Sequence, residues 1–418
     1  MPRGCGDGYP EPGPTPPREL CDDGNTIDGD LCSADCTPTL ATVLADPLGE
    51  WEPFVAERAR SIAADGRGHL LIAYFEDAGT DPGRMLAVRL NRGGARLDAE
   101  PLIVEELADP DGPAVVGLAG GGWVVAYQAV RPVGSPFSSV DVVYRTVSTE
   151  GAVGAERTLP ALAEGGQRDV RLSPHGDGFI AAWADDTSSR ADRSGGIRFR
   201  RFDGSARPID AEDQIPSVNN LPRESSPAVA SDGTFFVVAF ERESQGIWYR
   251  RYGPLGPLDA QERQLTASRA DTPVAGTLPV AAGDIPQFLL AWREPGEGGT
   301  DAFAQRIVAR DAVMLAEPPL VVEQGPSSPR QLRVAGWPSF DPSSDGPGPH
   351  YLAGFRTPGG AQLQSSAALP SALALGDALV GAEELAALVP APDGVWVAWT
   401  GTDDVNPGLG LRMQLLPY

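Results

Sequence analysis

The side chains best suited to chemistry in this sequence are arginines and paired acids, and both recur. Arg89, Arg145, Arg200, Arg201, Arg250, Arg251, Arg306 and Arg412 each stand in a short apolar run. A cluster of guanidinium groups can take a carboxylate or sulfate in two-pronged fashion. Arginines that recur in step with a repeat suit ion pairs with acidic loops better. Acidic pairs occur at Glu76-Asp77, Asp185-Asp186 and Asp403-Asp404. Such pairs could serve as the acid and base of glycoside hydrolysis or as calcium ligands; solvated loop tips are the plainer alternative. His69, His175 and His350 share no ligand spacing, so neither a zinc site nor a catalytic triad is expected. Gly120 to Gly122 joins two apolar runs and reads as a hairpin turn, not a phosphate cradle.

A second concentration of chemistry lies at the start of the chain. Cys5, Cys21, Cys32 and Cys36 are its four cysteines, and no thiol follows them. That partition suggests a disulfide module fused to a thiol-free body, and therefore an oxidising compartment. Four cysteines allow three pairings, of which Cys32 with Cys36 closes the least useful loop. Asp22, Asp23, Asn25, Asp28 and Asp30 place five oxygen-bearing side chains within nine residues. Calcium favours such sets, with Gly24 and Gly29 letting the backbone wrap the ion; turn-capping by the same side chains is the alternative. The spacing lacks the terminal glutamate of an EF-hand. The order C-G-D-G, then C-D-D-G-N, then G-D-L-C-S and a closing cysteine resembles the cysteine-rich repeat of secreted proteins of myxobacteria and related bacteria. It departs from that pattern at Leu31, where glycine is usual. Met1-Pro2-Arg3-Gly4-Cys5 opens directly on the motif, so a leader is expected to have been lost from the start.

What must position these residues is a repeat. A short apolar run ending in a small residue and an aromatic occurs seven times, with Tyr74, Tyr127, Trp183, Phe240, Trp292, Phe355 and Trp399 as the aromatics, 44 to 63 residues apart. Glycine turns precede five of the runs: Asp65-Gly66, Gly120 to Gly122, Asp177-Gly178, Asp232-Gly233 and Asp393-Gly394. An arginine-bearing strand follows, and Gly196 to Phe202 nearly copies Gly246 to Tyr252. A weaker fourth strand comes next, as at Leu102 to Val104 and Leu320 to Val322. Four strands per unit and no sustained helical period predict an all-β, seven-bladed β-propeller over residues 40–418, behind a disulfide-rich module over residues 1–39. The seventh unit lacks its fourth strand, and the segment 41–46 is expected to supply it and remove an open edge.

Composition narrows the function. The chain has 418 residues, a net charge of −24 and 33 basic residues, all arginine. Such acidity excludes nucleic acid as a partner, and no apolar stretch is long enough to span a membrane. The expectation is an exported or cell-surface, non-catalytic binding or scaffold protein whose loop face takes a glycan, a protein or a surface polymer. A propeller glycoside hydrolase or polysaccharide lyase is the alternative.

Overall fold

The structure, a computed structural model, describes residues 41–44, 62–76, 84–106, 111–130, 140–161, 165–186, 196–217, 223–266, 270–278, 287–296, 299–308, 320–323, 330–337, 350–357, 360–365, 382–391, 394–401 and 410–417. Among these residues there are strands and turns but no helix. The four cysteines and the acidic run Asp22 to Asp30 lie outside them, as do Asp77, Asp403 and Asp404.

The described strands make seven antiparallel sheets, six of them built wholly from consecutive segments. Sheet one holds Ile62–Ala64, Leu70–Glu76, Arg84–Leu90 and Leu102–Glu105; sheet two holds Asp111–Gly117, Trp123–Val130, Val140–Val147 and Arg157–Thr158. Sheet three is Gln167–His175, Gly178–Asp185 and Gly196–Phe202, and sheet four begins with Glu224–Ser231, Phe236–Arg242 and Gly246–Gly253. Sheet five starts at Asp271–Leu278, sheet six at Arg330–Trp337 and sheet seven at Ala382–Ala391. The outermost strand of sheet seven comes from the other end of the chain. Ala41–Leu44 pairs antiparallel with Gly410–Pro417, with Ala41 opposite Met413 and Thr42 opposite Arg412.

The first strands of consecutive sheets touch one another, and that of sheet seven touches that of sheet one. They form a closed ring around an axis, with the remaining strands of each sheet stepping outward: the β-propeller arrangement. Apolar side chains fill the spaces between neighbouring sheets. Ile180, Ala182 and Ala184 of sheet three, for example, pack on Val229, Val238 and Phe240 of sheet four. All seven repeated aromatics are buried, each contributing roughly 2–3 kcal/mol by its removal from water.

Two details differ from the sequence expectation. The small residue before each aromatic lies on the second strand, so close approach at the axis is made by other residues. A Cβ on Gly117 would overlap the Ala64 carbonyl of the neighbouring first strand. The glycine turns also divide into two kinds. Gly233, Gly121 and Gly122 have positive φ, as the hairpin argument requires, whereas Gly178 does not; the left-handed residue there is Gly176. Gly178 is glycine because a Cβ would meet the backbone of Phe202 and Asp203.

These contacts yield a test. Gly117→Ala is expected to destabilise the protein by about 3 kcal/mol, since both colliding partners are backbone. Gly120→Ala, with nothing within 4 Å of the new methyl, is expected to change stability by less than about 0.5 kcal/mol. Urea unfolding of both variants checks the pair.

Candidate functional site

One end of the ring is defined by the starts of the first strands and the ends of the second strands. Sheets two to six carry the same irregularity there. Arg168 pairs with Ala184 and Arg171 with Ala182, so one extra residue is squeezed into the first strand. The same offset separates Ser225 from Ala228, Asp271 from Val274, Arg330 from Arg333 and Asp111 from Ala114. Such β-bulges re-aim side chains at the rims of closed sheets. Two bulge residues, Asp169 (φ 57°) and Ser226 (φ 52°), sit in the left-handed region without being glycine. Pro113, Pro227 and Pro273 occupy the third bulge position, which a first strand tolerates because one of its edges faces the axis unpaired.

The bulges gather polar side chains at the rim of sheets two to four. Arg168 bonds Asp186 directly, and its Nε lies 3.9 Å from Asp169. Arg223 approaches the other oxygen of Asp186 at 3.8 Å. The backbone N–H of Asp169 donates to Gln128 Oε1 of sheet two at 2.8 Å. On sheet four, Ser226 Oγ donates to Glu241 Oε2 at 3.2 Å. Asp169 and Asp186, one from a bulge and one from the loop after a second strand, therefore flank a single guanidinium. Both are well exposed to solvent. Asp186 belongs to a pair singled out in the sequence; Asp169 and Glu241 do not. The signal that could have found Asp169 is the recurring bulge, whose prolines mark it in sheets two, four and five.

Behind the rim the charges are buried. Arg242, wholly shielded from solvent, donates from Nη2 to Glu224 at 2.9 Å and Glu262 at 3.1 Å, and its guanidinium stacks 4.2 Å from the Trp248 ring centre. Glu224 also accepts the Ile197 N–H of sheet three at 3.2 Å. Burial pushes the Glu224 carboxyl above its ordinary range against the pull of Arg242.

Several third-strand arginines pair with loop acids, as the repeat suggests. Arg201 pairs with Asp210 and Arg251 with Asp259, both at 2.7 Å, and Arg89 pairs with Asp98. These aspartates follow the third strand, not the second. Arg198 reaches a residue of a second-strand acidic pair, Asp185, at 2.5 Å. Sheet two has Gly154 where sheets one, three and four have aspartate; Arg145 donates to its carbonyl and turns to Glu105 of sheet one at 2.8 Å. Arg200 and Arg250 each donate to the carbonyls of the loop beyond their strand. Their role is to pin that loop. Arg306 lies on the third strand of sheet five, and Arg412 faces Trp399 across sheet seven.

His175 bonds Ser231 Oγ at 2.8 Å at the opposite end of the ring, and burial lowers its pKa. His69 lies 3.9 Å from Asp65. Among the described residues no three metal-ligating side chains converge, and no helix is long and apolar enough to cross a membrane.

No protein-family profile and no curated protein matches the chain. Among solved structures it is similar to an α-L-arabinanase of Penicillium chrysogenum complexed with arabinobiose, at 14% identity over 79% of this chain and 98% of that one, with a TM-score of 0.43. It is also similar to an α-L-arabinofuranosidase of Podospora anserina in complex with cellotriose (10% identity, 74% and 91% covered, TM-score 0.35). A third is a puromycin hydrolase variant (15% identity, 87% and 56% covered, TM-score 0.45). At these values no residue's role is transferred. The arabinanase and arabinofuranosidases among these structures nevertheless overturn the expectation of a non-catalytic binding protein.

Two outcomes test the charge architecture. Arg242→Met leaves Glu224 and Glu262 buried without their cation and is expected to cost about 3–5 kcal/mol in urea unfolding. Asp259 is the pH probe. Burial would raise its pKa, but the hydrogen bonds and charge of Arg251 outweigh burial and hold it below the ordinary value. Its stabilisation is therefore present above the unfolded aspartate value of about 3.9 and fades as pH falls through the folded value. Asp259→Asn is expected to lower the unfolding midpoint at pH 7 and to lie closer to the unmodified protein at pH 2.5.

Proposed function

We propose that this chain is a glycoside hydrolase of the β-propeller type, with seven blades and its catalytic carboxylates at the bulged rim of sheets three and four. The observation that carries this reading is the placement of Asp169 and Asp186 about the Arg168 guanidinium. Two carboxylates that share one guanidinium lie no more than roughly 9 Å apart, which is below the upper limit of about 9.5 Å for hydrolase acid pairs. Asp186, between Arg168 and Arg223, suits the group that stays ionised and stabilises positive charge developing at the sugar. Asp169, itself the left-handed bulge residue and bonded through its N–H to Gln128, flanks the same guanidinium and is the second carboxylate of the pair. Glu241, tied to Ser226 on the next sheet, is placed to bind sugar hydroxyls. Arabinobiose and cellotriose accompany two of the similar structures, which makes neutral glycans the first substrates to try.

The rest of the reading concerns the start of the chain. Residues 1–39 form a disulfide-stapled module of the cysteine-rich type, Asp22, Asp23, Asn25, Asp28 and Asp30 are its calcium ligands, and the protein works outside the cytoplasm. The concentration of every cysteine in that segment supports this reading.

The test is hydrolysis of a panel of neutral and acidic polysaccharides. Asp186→Asn and Asp169→Asn are each expected to lower kcat by about 1,000-fold while leaving the thermal midpoint nearly unchanged. Absence of turnover on every member of the panel, or full activity in both variants, overturns the reading.

A further inference from the structure

In sheets two to five the second strand carries, two residues beyond its small residue, a position opposite the residue just before the bulge. In sheet four this is Glu241, which accepts from Ser226 of its own bulge. In sheet five it is Arg293, which bonds Asp271 of its own first strand at 3.0 Å. Sheet three has Ala184 there, opposite Arg168, and a methyl group offers the bulge no polar atom. In sheet two the position holds Gln128, half-buried. Gln128 reaches across to sheet three, where its Oε1 accepts the Asp169 N–H at 2.8 Å.

Asp169 is where such a bond has most effect. The pairing of sheet three passes from Arg168 to Arg171 and skips Asp169. Its φ of 57° lies in the left-handed region, which residues with a Cβ mostly avoid. The residues on either side are fixed. Gln167 is buried and donates to the Gly165 carbonyl at 3.0 Å, and Val170 is buried in the same cluster as Trp183. Between these anchors, the rotation that directs the Asp169 N–H also sets where its carboxylate faces. A strained conformation persists only where its surroundings over-determine it, and the Gln128 amide oxygen does so from the next sheet. The charged groups nearby are Arg168 and Asp186 of sheet three, Arg223 of sheet four and Asp111, opposite Gln128 in register. An amide oxygen accepts the bond without adding to their charge. A carboxylate would accept it equally well but would oppose ionisation of the neighbouring acids.

We propose that Gln128 is a positioning residue for the rim carboxylates: it holds the sheet-three bulge left-handed from across the sheet boundary and so aims the Asp169 carboxylate at the guanidinium shared with Asp186. The hold on the bulge stands on the geometry alone; its part in turnover rests on the hydrolase reading. Gln128 acts through Asp169 and touches no reacting atom.

The experiment compares Gln128→Leu, which keeps the bulk and removes the acceptor, with Gln128→Glu, which keeps the acceptor and adds a charge. Exchange of the Asp169 amide hydrogen, read by NMR on the full chain, needs no substrate. It is expected to quicken about tenfold in Gln128→Leu, the size of a lost hydrogen bond, and to stay within about twofold in Gln128→Glu. On a polysaccharide that the unmodified protein cleaves, Gln128→Leu is expected to lower kcat about tenfold with KM little changed. Gln128→Glu is expected to retain most of kcat and to move the acid limb of the pH–rate profile upward by roughly half a unit. Gln128→Asn, one carbon too short to reach, serves in place of a leucine variant that does not fold. Unchanged Asp169 exchange in Gln128→Leu overturns the inference, as does an equal loss of kcat in Gln128→Leu and Gln128→Glu. Quickened exchange in a protein that cleaves no polysaccharide supports the hold on the bulge and overturns the hydrolase reading alone. Turnover by the unmodified protein with kcat unchanged in Gln128→Leu leaves the hydrolase and removes the positioning role.

Discussion

The described structure depends on the inner strands of its sheets approaching one another closely enough to touch. A four-stranded sheet has two faces and cannot cover both alone, so each sheet must find a neighbour on either side. The arrangement closes only if the inner strands carry little bulk. Gly117 against Ala64, and Gly276 against Val334, show how little room is left. The aromatics sit further out on the second strands, where the gap between sheets widens and a large side chain fills it.

The same radial geometry explains why charge is found in two layers. Near the outside, Arg201, Arg251 and Arg89 are locked to aspartates of their own sheet and hold the turn that leads to the fourth strand. Where the aspartate is replaced by Gly154, the arginine reaches a neighbouring sheet and a tyrosine hydroxyl, Tyr127, instead. At the inner rim the bulges break this regularity. A bulge rotates the residues before it relative to those after it, so side chains that would have packed between sheets are turned toward the opening. Structure and chemistry are thus separated by one inserted residue per strand.

Much of the architecture was legible in the sequence, and the reason is the repeat. A small residue followed by an aromatic marks a second strand because only that combination suits both faces of a packed sheet. The near-copies at Gly196 and Gly246 mark third strands. The site was less legible. Asp185-Asp186 stood out as a pair, yet its members part company: Asp185 is buried on Arg198 and Asp186 faces solvent on Arg168. Adjacent strand residues point to opposite sides, so proximity in sequence here means separation in space. Asp169 and Glu241 carried no local signal, because what makes them neighbours of an opening is the ring itself. The third-strand arginines could be assigned to acidic loops but not to particular acids. A hairpin returns the chain beside its own strand, so an acid eight or nine residues later is nearer than one in the preceding loop.

The joining of Ala41–Leu44 to Gly410–Pro417 has a cost in chain entropy. The two partners lie more than 360 residues apart in the chain, so this pairing is made across nearly the whole described sequence. The entropy of bringing such distant segments together must be offset by the contacts that closure makes. Closing the circle therefore joins the most distant described segments, and it carries the largest loop-closure cost of any strand pairing in the ring.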